Sequence, residues 1–215
     1  MATVYKVHPD TPQPRQIESI RDALRSGAVM LYPTDTVYAI GCDLNVKSAV
    51  ERVRRIKQLS NEKPLTFLCS SLSNISEYAL VSDSAYRLIR RLIPGTYTFL
   101  LPATKLVPRL VMSPKRKTTG IRVPDHAICQ ALLRALGNPI ISTSAPSAMA
   151  DPDLPLSAVE LFDHFDPLVD LIIDDESPLG SQVSTILDLT SEAAVLVRKG
   201  LGWEAIADWI EEAKE

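Results

Sequence analysis

Short apolar runs alternate with amphipathic segments from one end of the chain to the other, and the runs stop at prolines or at blocks of hydroxyl side chains. Such alternation commits a chain to an α/β domain, because the runs suit buried strands and the amphipathic segments suit helices packed on one side. Strands are expected around Val4, Tyr5 and Val7, and at Ala28–Tyr32, Val37–Cys42, Leu65–Cys69, Tyr97–Leu101, Thr118–Val123 and Ile140–Ser142. Three more follow at Val169–Ile173, Val183–Leu187 and Val195–Arg198. Helices are expected over Pro14–Ser26 with Gly27 as its stop, and after Asn45 with the stripe Val46, Ala49, Val50, Val53 and Ile56. Others are expected near Ser73–Tyr78 and Ser84–Ile93, between Asp125 and Gly137, over Ser157–His164 and around Trp203–Ala213. Asn45 and Asp125 are the expected caps, Glu51 and Arg55 an i,i+4 ion pair, and Asp151–Pro155 a surface loop. Adjacent strands such as Ala28–Tyr32 and Val37–Cys42 make the sheet mixed. No internal repeat and no long linker divides the chain, so residues 1–215 read as one twisted mixed sheet with flanking helices, the acidic section 150–215 included.

Several classes fall away on composition. No apolar run approaches the roughly 18–20 residues of a membrane span, and Met1–Lys6 does not open a signal peptide. Cys42, Cys69 and Cys129 form no Cys-x-x-Cys pair, which suits a reducing cytoplasm. His8, His126 and His164 are too scattered for metal-ligand spacing, so a zinc enzyme is not expected. Charge is distributed unevenly: residues 1–149 carry 20 Lys and Arg against 10 Asp and Glu, whereas residues 150–215 carry 3 against 16. An anionic ligand for the first part is one reading, and a solvated basic face against a solvated acidic one is the other.

Gly-x-Gly-x-x-Gly, a Gly-Lys-Ser/Thr phosphate loop and a Gly-x-Ser-x-Gly elbow are all absent. Any phosphate must therefore be held by Lys, Arg and hydroxyl side chains. Four clusters offer them. Tyr32-Pro33-Thr34-Asp35-Thr36-Val37-Tyr38 follows a buried strand, and would otherwise be a turn with Asp35 bonded to backbone amides. Lys57 to Lys63 closes a helix rich in Arg52, Arg54 and Arg55. In Lys115–Pro124, Arg122 shares a strand face with Gly120, which leaves room for an anion. The fourth cluster, Ser142-Thr143-Ser144-Ala145, ends an apolar strand in hydroxyls, which would otherwise bond locally to backbone.

Taken in order, these segments resemble the YrdC-like family, which has the threonylcarbamoyl-adenylate synthase fold. The likeness rests on Pro33–Gly41, on Ile56-Lys57 with Lys63-Pro64-Leu65, and on Pro94-Gly95-Thr96-Tyr97-Thr98. It continues through Gly120–Pro124, Ser142–Ala145, and Ser184–Asp188 followed by Arg198-Lys199-Gly200. The resemblance implies a sheet wrapped around one basic cleft that takes ATP as substrate or ligand, with Mg2+ accompanying it, and L-threonine and bicarbonate as further partners. In the implied reaction the threonine amine is carboxylated and the carbamate oxygen attacks the α-phosphorus of ATP. Pyrophosphate leaves, and the threonylcarbamoyl group then passes to an adenosine of tRNA. Lys57, Ser142, Ser144, Ser184 and Arg198 are the implied nucleotide ligands, and Thr36, Lys63, Thr118 and Arg122 line the small-substrate side. Lys115, Arg116 and Lys117, with Arg52, Arg54 and Arg55, are the expected surface for structured RNA or tRNA.

Two positions depart from the synthase pattern: Leu59 stands where Lys-x-Arg expects arginine, and Pro146 where Ser-x-Asn expects asparagine. Both look like the YciO branch of the same family. Three readings follow: a cytoplasmic nucleotide- and RNA-binding relative with weak or altered synthase chemistry, a fully active threonylcarbamoyl-AMP synthase, or a structural derivative that binds neither. The retained Arg122 and Arg198 disfavour the third, and Leu59 and Pro146 favour the first.

Overall fold

The computed structural model describes residues 1–59, 64–113, 115–145 and 157–212. In chain order the elements are β1 (Thr3–Lys6), α1 (Pro14–Arg25), β2 (Val29–Tyr32), β3 (Ala39–Asp43), α2 (Lys47–Ile56), β4 (Thr66–Leu68), α3 (Leu72–Tyr78), α4 (Asp83–Leu92) and β5 (Tyr97–Pro102). Then come β6 (Thr118–Arg122), α5 (Ala127–Leu136), β7 (Ile140–Ser144), α6 (Ala158–Phe165), β8 (Leu171–Asp174), β9 (Thr185–Asp188), β10 (Val195–Arg198) and the two-residue β11 (Glu211–Glu212). These strands make one sheet in the order β1-β8-β2-β3-β7-β4-β6-β5-β9-β10-β11. It is mixed as expected: β8 runs parallel to β1 and β2, β4 to β6, and β5 to β9, while the β2–β3–β7–β4 run is antiparallel. The acidic section contributes β8, between β1 and β2, in one half and β9 in the other, so it is woven into the sheet.

Period-2 alternation sorts the side chains onto two faces. Val29 and Leu31 of β2, Ile40 and Cys42 of β3, Phe99 of β5 and Ile121 of β6 join the core under α2, α3, α4 and α6. Met30 and Tyr32, Ala39, Ile140, Leu171 and Ile173 turn the other way, onto α1 and α5, whose Ile20, Leu24, Leu132 and Leu136 fill the second core. That second core reaches across β8, β2, β3 and β7 and takes only Leu68 from β4. Among the described residues no helix packs on the same face of β6, β5 and β9.

Four local expectations are corrected. Asn45 does not cap α2: Val46 holds that position, and the Asn45 N–H is taken by Asp43 Oδ1 at 2.9 Å. Nor does Asp125 cap α5, which starts two residues later behind His126; the Asp125 N–H donates to Asp35 Oδ2 at 3.1 Å. Glu51 pairs with Lys47 at 3.7 Å rather than with Arg55. The expected helix around Trp203–Ala213 is, over its described residues 203–212, not an α-helix but two 3-10 turns, Trp203–Ala205 and Ala207–Trp209, followed by β11. Trp203, Ile206 and Ile210 are buried at helical spacing, which is why the sequence reads as a helix. By contrast Ser157 caps α6 through a full capping box with Glu160. The expected loop Asp151–Pro155 lies outside the described residues.

Candidate functional site

On this face many of the alternating positions are small, hydroxylic or cationic, with Leu68, Leu100 and Ile186 as apolar neighbours. Thr66 and Leu68, Thr98 and Leu100, Gly120 and Arg122, Ser142 and Ser144, and Ser184 and Ile186 line a cleft of about 230 Å³, joined by Thr34, Thr36 and Arg198. Gly120 forms part of its floor. A Cβ there would sit 3.3 Å from Thr66 Oγ1 and 3.6 Å from Thr98 Cγ2, so the missing side chain keeps the floor low.

Two guanidinium groups dominate the electrostatics. Arg122, 7% exposed, donates from Nη1 to Thr36 Oγ1 at 2.9 Å and from Nη2 to Asp35 Oδ1 at 2.6 Å. Its Nε is buried without a partner among the described residues. Asp35 uses its second oxygen on the Asp125 N–H, so the carboxylate is held from both sides. Arg198 donates from Nε and Nη2 to the Ser184 carbonyl at 3.2 and 2.8 Å. Ser184 Oγ lies 2.9 Å from Thr98 Oγ1, and Tyr32 reaches Ser142 Oγ across the sheet face, over Gly41, at 2.6 Å. Burial, and then repulsion from Arg122, lowers the Arg198 pKa from its ordinary value. Two arginines against one engaged carboxylate leave one positive charge in surplus among these groups, held in a half-buried, hydroxyl-rich recess. Such a recess attracts an anion with several acceptor oxygens.

Of the residues singled out by sequence, Thr36, Arg122, Ser142, Ser144, Ser184 and Arg198 come together here. Thr118 shares the Arg122 face but sits four residues, roughly 13 Å, up β6 and does not line the cleft. Lys57 is the C-cap of α2, and Lys63 and Pro146 lie outside the described residues. Leu59 packs half-buried against the core under α2. Lys115, Arg116 and Lys117 are exposed on a loop outside the cleft, where Arg116 comes within 3.9 Å of Asp188. The expected extension of this basic surface by α2 is corrected. Arg52 is paired with Asp170 at 2.6 Å, and Arg54 is buried and donates to the Leu110 carbonyl at 3.0 Å, which leaves Arg55 exposed. Among the described residues the cleft lining holds no carboxylate, so its donor set does not fit a protein-held Mg2+.

Sequence reasoning missed Thr66 as a wall residue and Asp35 as the partner of Arg122. It also missed Asp175, whose side chain is 2% exposed and which meets His126 Nε2 at 3.4 Å and the Tyr38 hydroxyl at 3.3 Å. No helix among the described residues is long and apolar enough to cross a membrane.

The fold and cleft define a class: a mixed-sheet α/β domain whose cleft is lined by arginines and hydroxyls on a part of the sheet that no described helix covers. The chain belongs to the Sua5/YciO/YrdC family, whose model, described as telomere recombination, matches residues 22–200. It is similar to the uncharacterised protein YciO of Escherichia coli K12, 42% identical over 207 residues covering 94% of this chain and 97% of that protein. An uncharacterised protein of Haemophilus influenzae is 43% identical over 202 residues, with the same coverage of both chains. The crystal structure of E. coli YciO superposes with a TM-score of 0.86 over 94% of this chain and 97% of that one. P. abyssi Sua5 complexed with L-threonine reaches the same score at 27% identity, over 99% of this chain and 63% of its own.

Proposed function

We propose that the cleft binds ATP and a small amino acid, and that the protein is a nucleotide-binding relative of the threonylcarbamoyl-AMP synthases of tRNA modification, with weak or altered synthase chemistry. The observation that carries this reading is the pair Arg122 and Arg198, two guanidinium groups in one hydroxyl-lined recess, of which only Arg122 is paired with a carboxylate, that of Asp35. Attack of a carbamate oxygen on the α-phosphorus asks for alignment and charge stabilisation more than for a general base, and such a recess supplies both. Ser142, Ser144, Ser184, Arg198 and Lys57 are the nucleotide side of this reading. Thr36 and Arg122, with Lys63, are the amino-acid and bicarbonate side, and Thr118, away from the cleft, is not part of it. Asp35 already engages one end of the Arg122 fork, so a substrate carboxylate would meet the remaining donors rather than an empty bidentate clamp.

Leu59 is what weakens the chemistry. A charge-assisted donor to phosphate commonly contributes about 1.5–3 kcal/mol, and a core-packed leucine contributes none of it. A fully active synthase is the second reading, favoured by the likeness to the threonine-complexed P. abyssi Sua5. Pyrophosphate release from ATP, with threonine and bicarbonate omitted in turn, separates the two. Brisk release that needs both co-substrates selects the active synthase, and slow release or release indifferent to threonine selects the altered relative. Calorimetry with ATP should show binding that Arg198→Ala weakens by ~1 kcal/mol or more. Unchanged affinity in that variant removes Arg198 from the site.

Structured RNA belongs to the same reading, as a partner of the exposed loop Lys115–Lys117. With Arg52 and Arg54 engaged elsewhere, this loop is expected to carry most of any phosphate contact. Binding should fall with salt at a slope of about −0.7 to −0.9 per phosphate neutralised. Changing Lys115, Arg116 and Lys117 to alanine should flatten that slope by about two, and an identical slope in the triple variant rules the loop out.

A further inference from the structure

The ten residues 175–184 have the longest journey in the fold. They leave β8, next to the first edge strand, and must enter β9, with β2, β3, β7, β4, β6 and β5 lying between. Seven strand spacings amount to about 34 Å along the sheet, close to the roughly 33–36 Å that ten fully extended residues span. The segment is not fully extended. Glu176 takes a left-handed φ of 58°, and the Ser177 N–H folds back onto Asp175 Oδ1 at 3.2 Å. The chain therefore crosses the mouth of the curled sheet as a chord, between the loop 33–38 and the start of β9.

It is fastened along the way. At its start Asp175 is buried between His126, in front of α5, and Tyr38, in front of β3. Leu179 packs half-buried against the core. Gly180 lies so close to the Thr36 carbonyl oxygen that a Cβ built on it would fall inside that oxygen's van der Waals radius, and even the carbonyl carbon would be only 2.7 Å away. At its end Val183 accepts from the Leu201 N–H at 2.8 Å and hands the chain to Ser184. Thr36, under the middle of the segment, receives the Arg122 Nη1 proton, and Ser184, at its end, receives those of Arg198. One stretch of backbone thus touches both walls of the cleft.

We infer that residues 175–184 form a fixed strap across the cleft, with Gly180 and Asp175 as positioning residues that set the separation of the Thr36–Arg122 wall from the Ser184–Arg198 wall. Gly180 acts by its missing side chain, since only glycine lets the strap lie on the Thr36 carbonyl. Asp175 acts by tying the strap to the helix and loop that also hold Asp35. The ligand arm of this inference rests on the reading of the cleft as an ATP and amino-acid site.

Hydrogen exchange of the ligand-free protein, read over 175–184 and over 33–38, tests the strap without any ligand. Gly180→Ala and Asp175→Asn should each speed exchange in both segments at least tenfold. Gly180 is exposed, so in Gly180→Ala the segment can relieve its clash with the Thr36 carbonyl by lifting off into solvent, and the variant should melt within a few degrees of the unaltered protein while its strap is loosened. In calorimetry with ATP in the presence of L-threonine, Gly180→Ala should bind at least tenfold more weakly, a split between affinity and stability that a purely structural role does not give. Unchanged exchange over 33–38 in both variants overturns the strap. Unchanged ATP affinity in a variant whose strap has loosened overturns the positioning role. If the unaltered protein binds no ATP, the cleft reading fails, and the exchange experiment alone decides whether the strap holds the two walls.

Discussion

Arg122→Ala is expected to destabilise the protein by about 3–5 kcal/mol as well as to abolish anion binding in the cleft. The side chains of Arg122 and Asp35 are each 9% exposed and meet at 2.6 Å, so removing the cation strands a buried carboxylate. Asp35 retains only the Asp125 N–H, which satisfies one oxygen and neutralises no charge. Thr36 loses its donor at the same time, which loosens the loop under the strap. Urea unfolding of Arg122→Ala, Asp35→Asn and the double variant provides the measurement. The double variant should recover part of the Arg122→Ala loss, because a neutral amide no longer needs the guanidinium. Arg122→Lys should not rescue, since a point charge cannot donate to Thr36 and Asp35 from one plane. Purely additive losses would show the two side chains to be energetically independent, contrary to the geometry.

Gly200→Ala is expected to be nearly as damaging, at about 2–3 kcal/mol, by overpacking backbone against backbone. A Cβ at this position would overlap the Val183 carbonyl oxygen and stand 2.6 Å from the Ser184 carbonyl oxygen, and neither can swing away as a side chain could. Relief requires the turn after β10 to retreat from β9. That retreat breaks the Gly200 N–H bond to Thr185 Oγ1 and draws Arg198 off the Ser184 carbonyl. Thermal melts of Gly200→Ala should show the loss, and its affinity for ATP should fall with that of Arg198→Ala. A variant that melts and binds like the unaltered protein would mean that the turn shifts freely and does not fix Arg198.

Much of the site was legible because its signal is local. In β6 the residues Thr118-Thr119-Gly120-Ile121-Arg122 alternate, so Gly120 and Arg122 had to share a face whatever the rest of the chain did. The same holds for Ser142 and Ser144 in β7, and the Pro33 stop made Thr34–Thr36 a loop at a strand end. Trp203–Ala213 misled because three buried residues at helical spacing also fit consecutive 3-10 turns closed against β10. Arg52 and Arg54 misled because a basic helix reads as solvated until Asp170 and the Leu110 carbonyl are seen to lie beside it.

The sequence by itself determined the alternating strands, the amphipathic helices and the identity of the hydroxyls and cations at strand ends, since each depends on residues a few positions apart. Only the tertiary structure decided that these groups form a cleft. Strand order carries α1 and α5 over β8, β2, β3 and β7 and stops there, so the same alternation that buries Ile140 against helices turns Gly120 and Arg122 toward the cleft. Asp35 and Arg122 are 87 residues apart, and Gly180 lies farther still from Thr36, so no local pattern encodes either contact. A periodicity fixes the side of the sheet on which a side chain stands. What covers that side is fixed by the packing of elements distant in the chain.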